Sequence, residues 1–291
     1  MGEHEAAVRD WAAHGGGVYW DRVSERWMDA YPQRLWRQHS DRVNTALLER
    51  WLPYDLGAVL KTDLFDEAVS EGLYAALAER VQRVVGIDDS ATIVRSAVER
   101  HPRLIGHRAD VRRLPFADGE FDAVVSNSTL DHFDSPNEIV VSLRELHRVL
   151  ASGGRLVVTL DNPANPILAV TKALPRRTLN RGWIRIGGAS SRAGLLPYYI
   201  GATLGLQALR RVLTELGFAV VDTTTIVHVP RVLAVLLGNA VERHGGARSE
   251  QRFLRTLGFF ERLSRLPTRS FTGHFVGACA VKIPEHDPPA S

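Results

Sequence analysis

The chain has 291 residues, of which 45% are apolar, so it holds enough core material for one large domain or one domain with additions. Its formal net charge of +3 is mildly basic, and because no run of five basic residues occurs, we expect no nucleic-acid partner. The single cysteine, Cys279, excludes an intrachain disulfide, and no apolar run reaches about 18 residues, so we predict a cytoplasmic protein with no membrane span.

Residues 1–56 are predicted to form a helical cap. Five of the six tryptophans lie in this stretch, and the glycine run at 15–17 together with Pro32 and Pro53 marks helix boundaries. Such helices could cover the mouth of an active site or pack against the edge of a sheet. The sequence leaves both alternatives open.

Residues 57–90 predict the first half of a nucleotide-binding α/β sheet. Two apolar runs of strand length flank a stretch in which apolar residues recur at helical spacing. In such sheets ligands bind outside the carboxyl ends of the strands, and an acid after the second strand can accept hydrogen bonds from ribose hydroxyls. Asp88 is that acid, and Asp89 follows it. The predicted elements are a strand at 58–62, a helix at 66–80 and a strand at 82–88.

The loop after the first predicted strand carries carboxylates where a dinucleotide-binding loop would carry glycines. Asp63, Asp66 and Glu67 lie there, and no glycine occurs between Gly57 and Gly72. Acids at the start of a helix would repel a pyrophosphate, because they occupy the position in which the helix N-terminus would bind it. A ligand with adenosine, no phosphate and a cationic end fits better. S-adenosylmethionine (SAM), with its sulfonium and ammonium groups, is such a ligand.

Strands and helices continue to alternate up to residue 161, which is typical of a parallel sheet. Gly153 and Gly154 are predicted to end the helix that precedes the fifth strand. Residues 162–200, with several prolines and basic residues, are predicted to be an irregular cap insertion over the carboxyl edge of the sheet. The further predicted elements are strands at 103–107, 121–127 and 155–161 and helices at 90–101 and 136–151.

The C-terminal part of the chain is predicted to complete the same domain, which we assign to residues 57–285. An inserted helical segment at 231–265 interrupts it. The predicted elements are a helix at 204–216, a strand at 218–228, helices at 232–240 and 253–263, and a last strand at 271–283.

The order of these segments resembles that of class I SAM-dependent methyltransferases, most closely their small-molecule branch. Gly86-Ile87-Asp88 looks like their ribose-binding acid segment, and Ala109-Asp110-Val111 before Leu114-Pro115-Phe116 looks like their adenine-binding segment. The stretch FDAVVSN at 121–127 is similar to their fourth-strand motif. The resemblance covers residues 57–161 well and the later elements more weakly.

The resemblance implies a doubly wound α/β fold with a mainly parallel seven-stranded sheet and an antiparallel final strand. It implies a SAM-dependent methyltransferase acting on a small, partly apolar molecule, with no metal. Two other classes stay open: a methyltransferase-like protein that does not catalyse, and an NAD-dependent oxidoreductase, against which the acidic loop counts. The implied cofactor-binding residues are Asp63, Leu64, Phe65, Asp88, Asp89, Asp110, Val111, Ser126 and Asn127.

One candidate catalytic residue and one departure from the family pattern remain. His132 follows the fourth strand, where the resembling family places the substrate, so it is a candidate general base or else a structural histidine. The family's first motif normally has glycines where this chain has acids. Either Lys61 or Asp63 takes the place of the usual acid there, and the contacts of this loop cannot be copied from the family.

Overall fold

The computed structural model describes residues 33–173 and 201–284. Cap residues 1–32 and residues 174–200 of the expected insertion lie outside this part of the chain. The described residues form one sheet of seven strands. These are β1 (Leu56–Lys61), β2 (Val81–Asp88), β3 (Ile105–Arg108), β4 (Phe121–Asn127), β5 (Leu150–Asp161), β6 (Phe218–Ile226) and β7 (Phe275–Lys282).

Helices connect most of the strands, and two short 3₁₀ helices lie at Leu130–His132 and Glu261–Arg265. The α-helices before β5 are α1 (Arg34–Trp51), α2 (Phe65–Val69), α3 (Tyr74–Ala78), α4 (Ala91–Arg100) and α5 (Pro136–Val149). Those after β5 are α6 (Pro166–Ala173), α7 (Leu206–Glu215), α8 (Arg231–His244), α9 (Ala247–Phe260) and α10 (Arg269–Thr272).

The strand order is β3-β2-β1-β4-β5-β7-β6. The first five strands in this order pair in parallel, and β7 lies antiparallel between β5 and β6. This confirms the predicted mainly parallel sheet with an antiparallel final strand. The order reverses between β1 and β4, and such a switch point opens a crevice at the carboxyl ends of the strands, where ligands bind in this class of fold.

Both faces of the sheet are covered by helices, which makes the fold doubly wound. Neighbouring residues of the central strands point to opposite cores: Val59 and Ala123 to one, Leu60 and Val124 to the other. Helices α1, α2, α4 and α8 contribute to the first core, and α5 and α7 contribute to the second. Burial on both faces explains why the central strands read as continuous apolar runs.

The single helix predicted at 66–80 is wrong, because α2 and α3 are separate short helices. Between them Gly72 takes a φ of +56°, a left-handed conformation that favours glycine. The buried Glu67 turns back on this break, and its Oε1 accepts a hydrogen bond of 2.8 Å from the backbone N–H of Leu73. A Cβ atom at residue 72 would lie 2.6 Å from that same oxygen, so the break requires glycine.

Further element boundaries differ from the prediction. Helix α5 ends at Val149 rather than at the glycine pair, and β5 begins at Leu150. Gly153, with a φ of +75°, lies inside the strand, where the pairing with β4 shifts register. The last strand begins at Phe275, because the residues from Arg269 to Thr272 form α10 instead.

Candidate functional site

A cavity of about 370 Å³ opens at the carboxyl edge of the sheet. Its floor is built by residues at or just after the ends of five parallel strands, from β1 to β5, so backbone topology brings distant parts of the chain together. Each strand end contributes at least one lining residue, for example, in the order β1 to β5, Asp63, Asp88, Asp110, Asn127 and Asp161.

Helix α1 forms a second wall of the cavity. Trp36, Arg37, Ser40 and Asn44 line it at helical spacing, so one face of the helix points at the site. The far end of the helix packs on the sheet instead, where the buried Trp51 donates from Nε1 to Asp222 at 2.8 Å. This helix therefore lines the cavity with one part and packs against the sheet with another, while the cap role of residues 1–56 stays a prediction.

The loop after β1 contains a buried ion pair. Lys61 Nζ lies 2.7 Å from Glu67 Oε2, and the two side chains are 2% and 0% exposed. Burial lowers the pKa of Lys61, but Glu67 and then Asp63 and Asp66 outweigh burial, so the pKa is raised overall. Burial also raises the pKa of Glu67, against the opposing effect of Lys61. Glu67 thus stabilises the loop and does not face the cavity.

The other two acids of the loop, Asp63 and Asp66, do line the cavity. Asp63 Oδ1 accepts a hydrogen bond of 2.7 Å from the N–H of Phe65, which shapes the turn into α2. Asp66 lies 3.4 Å from Arg37 Nη1; burial raises its pKa while Arg37 opposes the rise. Phe65 also lines the cavity, and the Arg37 guanidinium lies 5.5 Å from the centre of its ring.

Asp88 joins the loops that follow β1 and β2. Its Oδ2 accepts from the N–H of Leu64 at 3.1 Å, and its Oδ1 accepts from the N–H of Ser90 at 2.9 Å. Burial first, and then the neighbouring Asp63, raise the pKa of Asp88 to about 7. Each carboxylate oxygen has a second lone pair, so Asp88 can still accept hydrogen bonds from a ligand.

Leu64 does not reach the cavity, although the sequence placed it among the cofactor-binding residues. Its side chain is fully buried against Gly86, where an added Cβ would lie 2.4 Å from Leu64 Cδ2. The leucine therefore fills the space that a glycine in β2 leaves open. Its contribution to the site is the backbone N–H that it donates to Asp88.

Asp110 lines the cavity beside Val111 and is held by Arg112. Arg112 Nε lies 3.0 Å from both carboxylate oxygens of Asp110, and its guanidinium lies 4.9 Å from the centre of the Phe133 ring. Burial would raise the pKa of Asp110, but the hydrogen bonds from Arg112 lower it overall. Arg112 also donates to Glu138, so one arginine orients two acids at this end of the site.

The residues at the end of β4 divide between the cavity and the core. Ser126 is fully buried, receives a hydrogen bond of 3.0 Å from Thr62 Oγ1 and does not line the cavity. Asn127 lines it, and Asn127 Oδ1 accepts from Thr159 Oγ1 at 2.8 Å. This bond fixes the amide, so the direction in which Asn127 presents its NH₂ group is set by β5.

His132 lines the cavity with a side chain that is 21% exposed. Its Nε2 lies 3.9 Å from Oδ1 of Asp131, which is completely buried. Asp131 Oδ2 accepts from the N–H of Asp161 at 2.7 Å and from Ser128 Oγ at 3.1 Å, which ties the loop after β4 to the end of β5. A proton acceptor at His132 would therefore have a fixed carboxylate beside it.

At the end of β5, Asp161 lines the cavity and lies 3.6 Å from His274 Nε2. Burial, followed by the charge of Arg231, lowers the pKa of His274 to about 3. His274 is therefore neutral near pH 7, and its contact with Asp161 is not an ion pair.

Comparison with known proteins identifies the domain. The family described as a methyltransferase domain matches residues 66–158. Residues 66–158 thus resemble a methyltransferase domain. The chain is 41% identical over 104 residues to a demethylmenaquinone methyltransferase of Beutenbergia cavernae. The aligned region covers 35% of this chain and 42% of that protein. The chain is 26% identical over 196 residues to a probable SAM-dependent methyltransferase of Mycobacterium tuberculosis, covering 67% of this chain and 61% of that protein.

Solved structures agree with the fold of the methyltransferase domain. The [4+2]-cyclase SpnF matches with a TM-score of 0.51 at 19% identity, over 84% of this chain and 81% of that one. A methyltransferase-like protein of Bacillus halodurans matches with a TM-score of 0.51 at 18% identity, over 83% of this chain and 99% of that one. The predicted fold and family resemblance are thus confirmed, while the chain spans about two fifths of the first curated relative.

Two residues that hold acids or loops of this site in place, Arg112 and Asp131, were not found from the sequence. Arg112 follows Asp110 by two positions, and this spacing allows a basic side chain to fold back on the acid. Asp131 precedes His132 directly, but only the structure shows that it is buried and bonded to β5. The candidate role of each cofactor-binding residue stays a prediction.

Proposed function

We propose that the protein is a SAM-dependent methyltransferase that acts on a small, partly apolar molecule. The observation that carries this proposal is the charge of the cavity at the switch point of the sheet. Eight carboxylates line it against three arginines. An acidic surplus favours a ligand with positive charge and disfavours a pyrophosphate. The acids are Asp63, Asp66, Asp88, Asp89, Asp110, Asp134, Glu138 and Asp161.

The residues present suit SAM from one end to the other. Asp88, with Asp89 beside it, would bind the ribose hydroxyls, because it lies at the end of β2 with acceptor capacity left. Asp110 and Val111 would bind adenine in the loop after β3. Asp63 would bind the ammonium group, since it is the acid nearest the end of β1 that faces the cavity. When bound there, SAM supplies a methyl group on a sulfonium centre.

The protein contributes mainly by holding the substrate nucleophile in line with that methyl group, and such positioning accounts for much of the rate in two-substrate reactions. His132, which lines the cavity with the buried Asp131 beside it, would take the proton of the nucleophile on its imidazole ring. A placed base contributes roughly 10²–10⁴ in rate. Phe65 and Phe133 line the cavity and would exclude water from its apolar side once a ligand is bound.

The substrate class follows from the apolar part of the lining. Trp36, Phe65, Phe133 and Phe275 all line the cavity, and aromatic side chains favour flat apolar rings. Two relatives are named as methyltransferases of quinones, the demethylmenaquinone enzyme and a 2-phytyl-1,4-naphtoquinone methyltransferase of Nostoc punctiforme. Both the names and the lining support a ring substrate of quinone type.

A methyl-transfer assay tests the proposal. The full chain is incubated with methyl-labelled SAM and reduced 1,4-naphthoquinones that differ in the apolar chain, and label in the organic phase is measured. We expect transfer, and His132→Gln should lower kcat by about 10²-fold or more with SAM affinity unchanged. Transfer at the wild-type rate in His132→Gln would remove the general-base role, and no transfer to any acceptor while SAM binds would contradict the catalytic proposal.

A SAM-binding protein that does not transfer methyl groups is the second candidate. The observation in its favour is the loop after β1, in which bulky Phe65 and Glu67, paired with Lys61, stand where the family has glycines. The match to a cyclase also shows that this fold hosts other activities. SAM binding with no turnover in the same assay would favour this candidate over the first.

The two acids of the β1 loop that face the cavity should differ in their effect on SAM. Asp63→Asn should weaken SAM binding by about ten-fold or more, because the lost charge would pair with the ammonium group. Asparagine can still accept the hydrogen bond from Phe65, so the turn is kept. Asp66→Asn should cost less, since Asp66 already lies beside Arg37.

Calorimetric titration of SAM and decarboxylated SAM into the wild type and both variants measures this difference. Both ligands keep the amine, so Asp63→Asn should weaken them alike. Unchanged SAM affinity in Asp63→Asn, or a larger loss in Asp66→Asn, would mean that Asp63 does not bind the ammonium group.

A further inference from the structure

Helix α9 presents a stripe of arginines away from the protein. Arg248, Arg252 and Arg255 are exposed and recur at intervals of four and three residues together with Phe259, so they share one face. The opposite face packs inward through the buried Leu254 and Leu257. The stripe is thus the outer surface of the helix.

The acids of the surrounding segment form hydrogen bonds and ion pairs with other parts of the protein and do not neutralise the arginine stripe. Residues 231–272, which we call the helical segment, contain eight arginines and three glutamates. Glu242 accepts from the N–H of Leu35 at 2.7 Å, and Glu250 pairs with Arg34, so both are engaged by the start of α1. Glu261 accepts from the backbone of the loop after β6. The acids therefore face the protein while the arginine stripe faces outward.

The same segment exposes large apolar side chains. Seven of the fourteen exposed large apolar side chains among residues 33–173 and 201–284 lie in it. On α8, Leu233, Leu236 and Leu237 are 51%, 46% and 49% exposed, and their spacing places them on one face. The other four are Phe259, Phe260, Leu266 and Phe271.

We propose that the helical segment docks on a membrane surface that contains anionic lipids. Arginines bind lipid phosphates, and leucine and phenylalanine side chains insert at the boundary between headgroups and acyl chains. This is surface docking, since no helix of residues 33–173 or 201–284 has both the length and the apolar character to cross a bilayer.

The combination of charges and apolar groups separates a membrane from other partners. A polynucleotide would engage the arginines but would leave the leucines of α8 without an apolar contact. A second copy of the chain, meeting this surface symmetrically, would bring two arginine stripes together, and like charges repel. An anionic bilayer offers a partner to both kinds of side chain, phosphates to the arginines and the acyl boundary to the leucines.

The helical segment also borders the cavity. Arg231, at its beginning, lines the cavity, and Phe275, three residues after its end, lines it as well. Docking would therefore hold the cavity close to the bilayer, where partly apolar molecules dissolve. The docking itself rests on the helical segment and not on the methyl-transfer proposal, so either can fail without the other.

Co-sedimentation with vesicles tests the docking. The full chain is mixed with vesicles of equal parts phosphatidylglycerol and phosphatidylcholine, or of phosphatidylcholine alone, at physiological salt. We expect binding to the anionic vesicles only. Arg252→Glu/Arg255→Glu should lower partitioning by about ten-fold or more, since each basic residue near an anionic surface contributes a several-fold factor. Leu236→Ser/Leu237→Ser should lower it by a similar factor through lost insertion.

Matched exposed sites outside the segment serve as controls. Arg95→Glu/Arg103→Glu and Val141→Ser should leave partitioning unchanged, and all variants should keep the wild-type unfolding midpoint. Equal binding to neutral and anionic vesicles, or equal loss in the controls, would overturn the proposal. Binding to a mixed-sequence polynucleotide that is lost in the arginine variant and kept in the leucine variant would also overturn it. So would self-association that the leucine variant abolishes, if the wild type does not bind vesicles.

Discussion

Replacing Lys61 with methionine should lower the free energy of unfolding by about 3–5 kcal/mol, because removal of one partner leaves a buried charge uncompensated. The stranded group is Glu67, whose side chain is 0% exposed and whose Oε2 lies 2.7 Å from Lys61 Nζ. Chemical unfolding of the wild type and Lys61→Met measures the loss. The double variant Lys61→Met/Glu67→Gln should recover most of it, since glutamine can keep the bond to Leu73.

The loss of unfolding free energy in Lys61→Met should also depend on pH. Burial already raises the pKa of Glu67, and without Lys61 its folded-state pKa rises further. A carboxyl with a raised folded pKa stabilises the folded state fully below its unfolded pKa and less as the pH rises through the folded value. The difference between wild type and Lys61→Met should therefore shrink as the pH falls from about 8 to about 5. Over this range Lys61 adds no pH dependence, because its pKa is raised in the folded state and is about 10.4 in the unfolded state, so it is charged in both.

Lys282→Met is the matched control for this experiment. Lys282 Nζ donates to the carbonyl oxygens of His147 and Leu150 at 2.8 Å each and has no carboxylate partner among these bonds. Lys282→Met should lower the free energy of unfolding by less than Lys61→Met does, and this decrease should not depend on pH between about 5 and 8. An equal loss in both variants, or no recovery in the double variant, would contradict the assigned role of the ion pair.

Asp88→Asn should weaken SAM binding by about ten-fold or more, because it removes a charged acceptor for the ribose hydroxyls. The carboxylate also accepts from the N–H groups of Leu64 and Ser90 with its two oxygens. Asparagine has one acceptor oxygen, so its NH₂ group would face one of these donors and loosen the junction of the two loops. Calorimetric titration of SAM measures the loss, and thermal unfolding measures the loosening.

The binding should carry a pH signature in the wild type. The pKa of Asp88 is raised to about 7, so its carboxylate becomes ionised as the pH rises through that value. SAM affinity should increase several-fold between about pH 6 and 7.5, because the ionised form is the stronger acceptor. The free energy of unfolding without ligand should change in the opposite direction. Because the folded-state pKa of Asp88 is raised, its contribution to stability is lost as the pH rises through about 7.

Two variants bracket the interpretation. Asp122→Asn removes an acid of β4 whose Oδ2 accepts from the N–H groups of both Gly57 and Ala58. It tests for a general effect of losing an acid that binds two backbone N–H groups, and it should leave SAM affinity unchanged. Asp110→Asn should weaken SAM binding without loosening the fold, as expected of an adenine contact. Wild-type affinity in Asp88→Asn, or a pH signature that survives in it, would remove Asp88 from the cofactor site.

The sequence predicted those parts of the site that depend on strand order. Asp88 and Asp110 follow parallel strands, and the carboxyl ends of such strands must meet at one edge of the sheet. The first turn after β1 was not predictable in the same way. Whether Glu67 faces the ligand or the core depends on Lys61 across the loop, a contact that no periodicity reports. The break at Gly72 follows from that contact, because the turned carboxylate caps α3.

Side chains that act through a partner were also missed. Arg112 binds two acids from different elements, Asp110 after β3 and Glu138 on α5, and only the packing of α5 brings the second within reach. The outward arginine face of α9 was not predicted, and its significance depends on where the glutamates of the same segment point. Local spacing therefore predicted elements and acids, and tertiary contacts decided which acids remain open to a ligand.

Titration of the full chain with SAM, S-adenosylhomocysteine and NAD by calorimetry tests the central claim most directly. The acidic cavity predicts that SAM and S-adenosylhomocysteine bind, and that NAD, with its pyrophosphate, binds more weakly than either by about ten-fold or more. Binding of NAD as tight as that of SAM, or the absence of binding by SAM, would contradict the account.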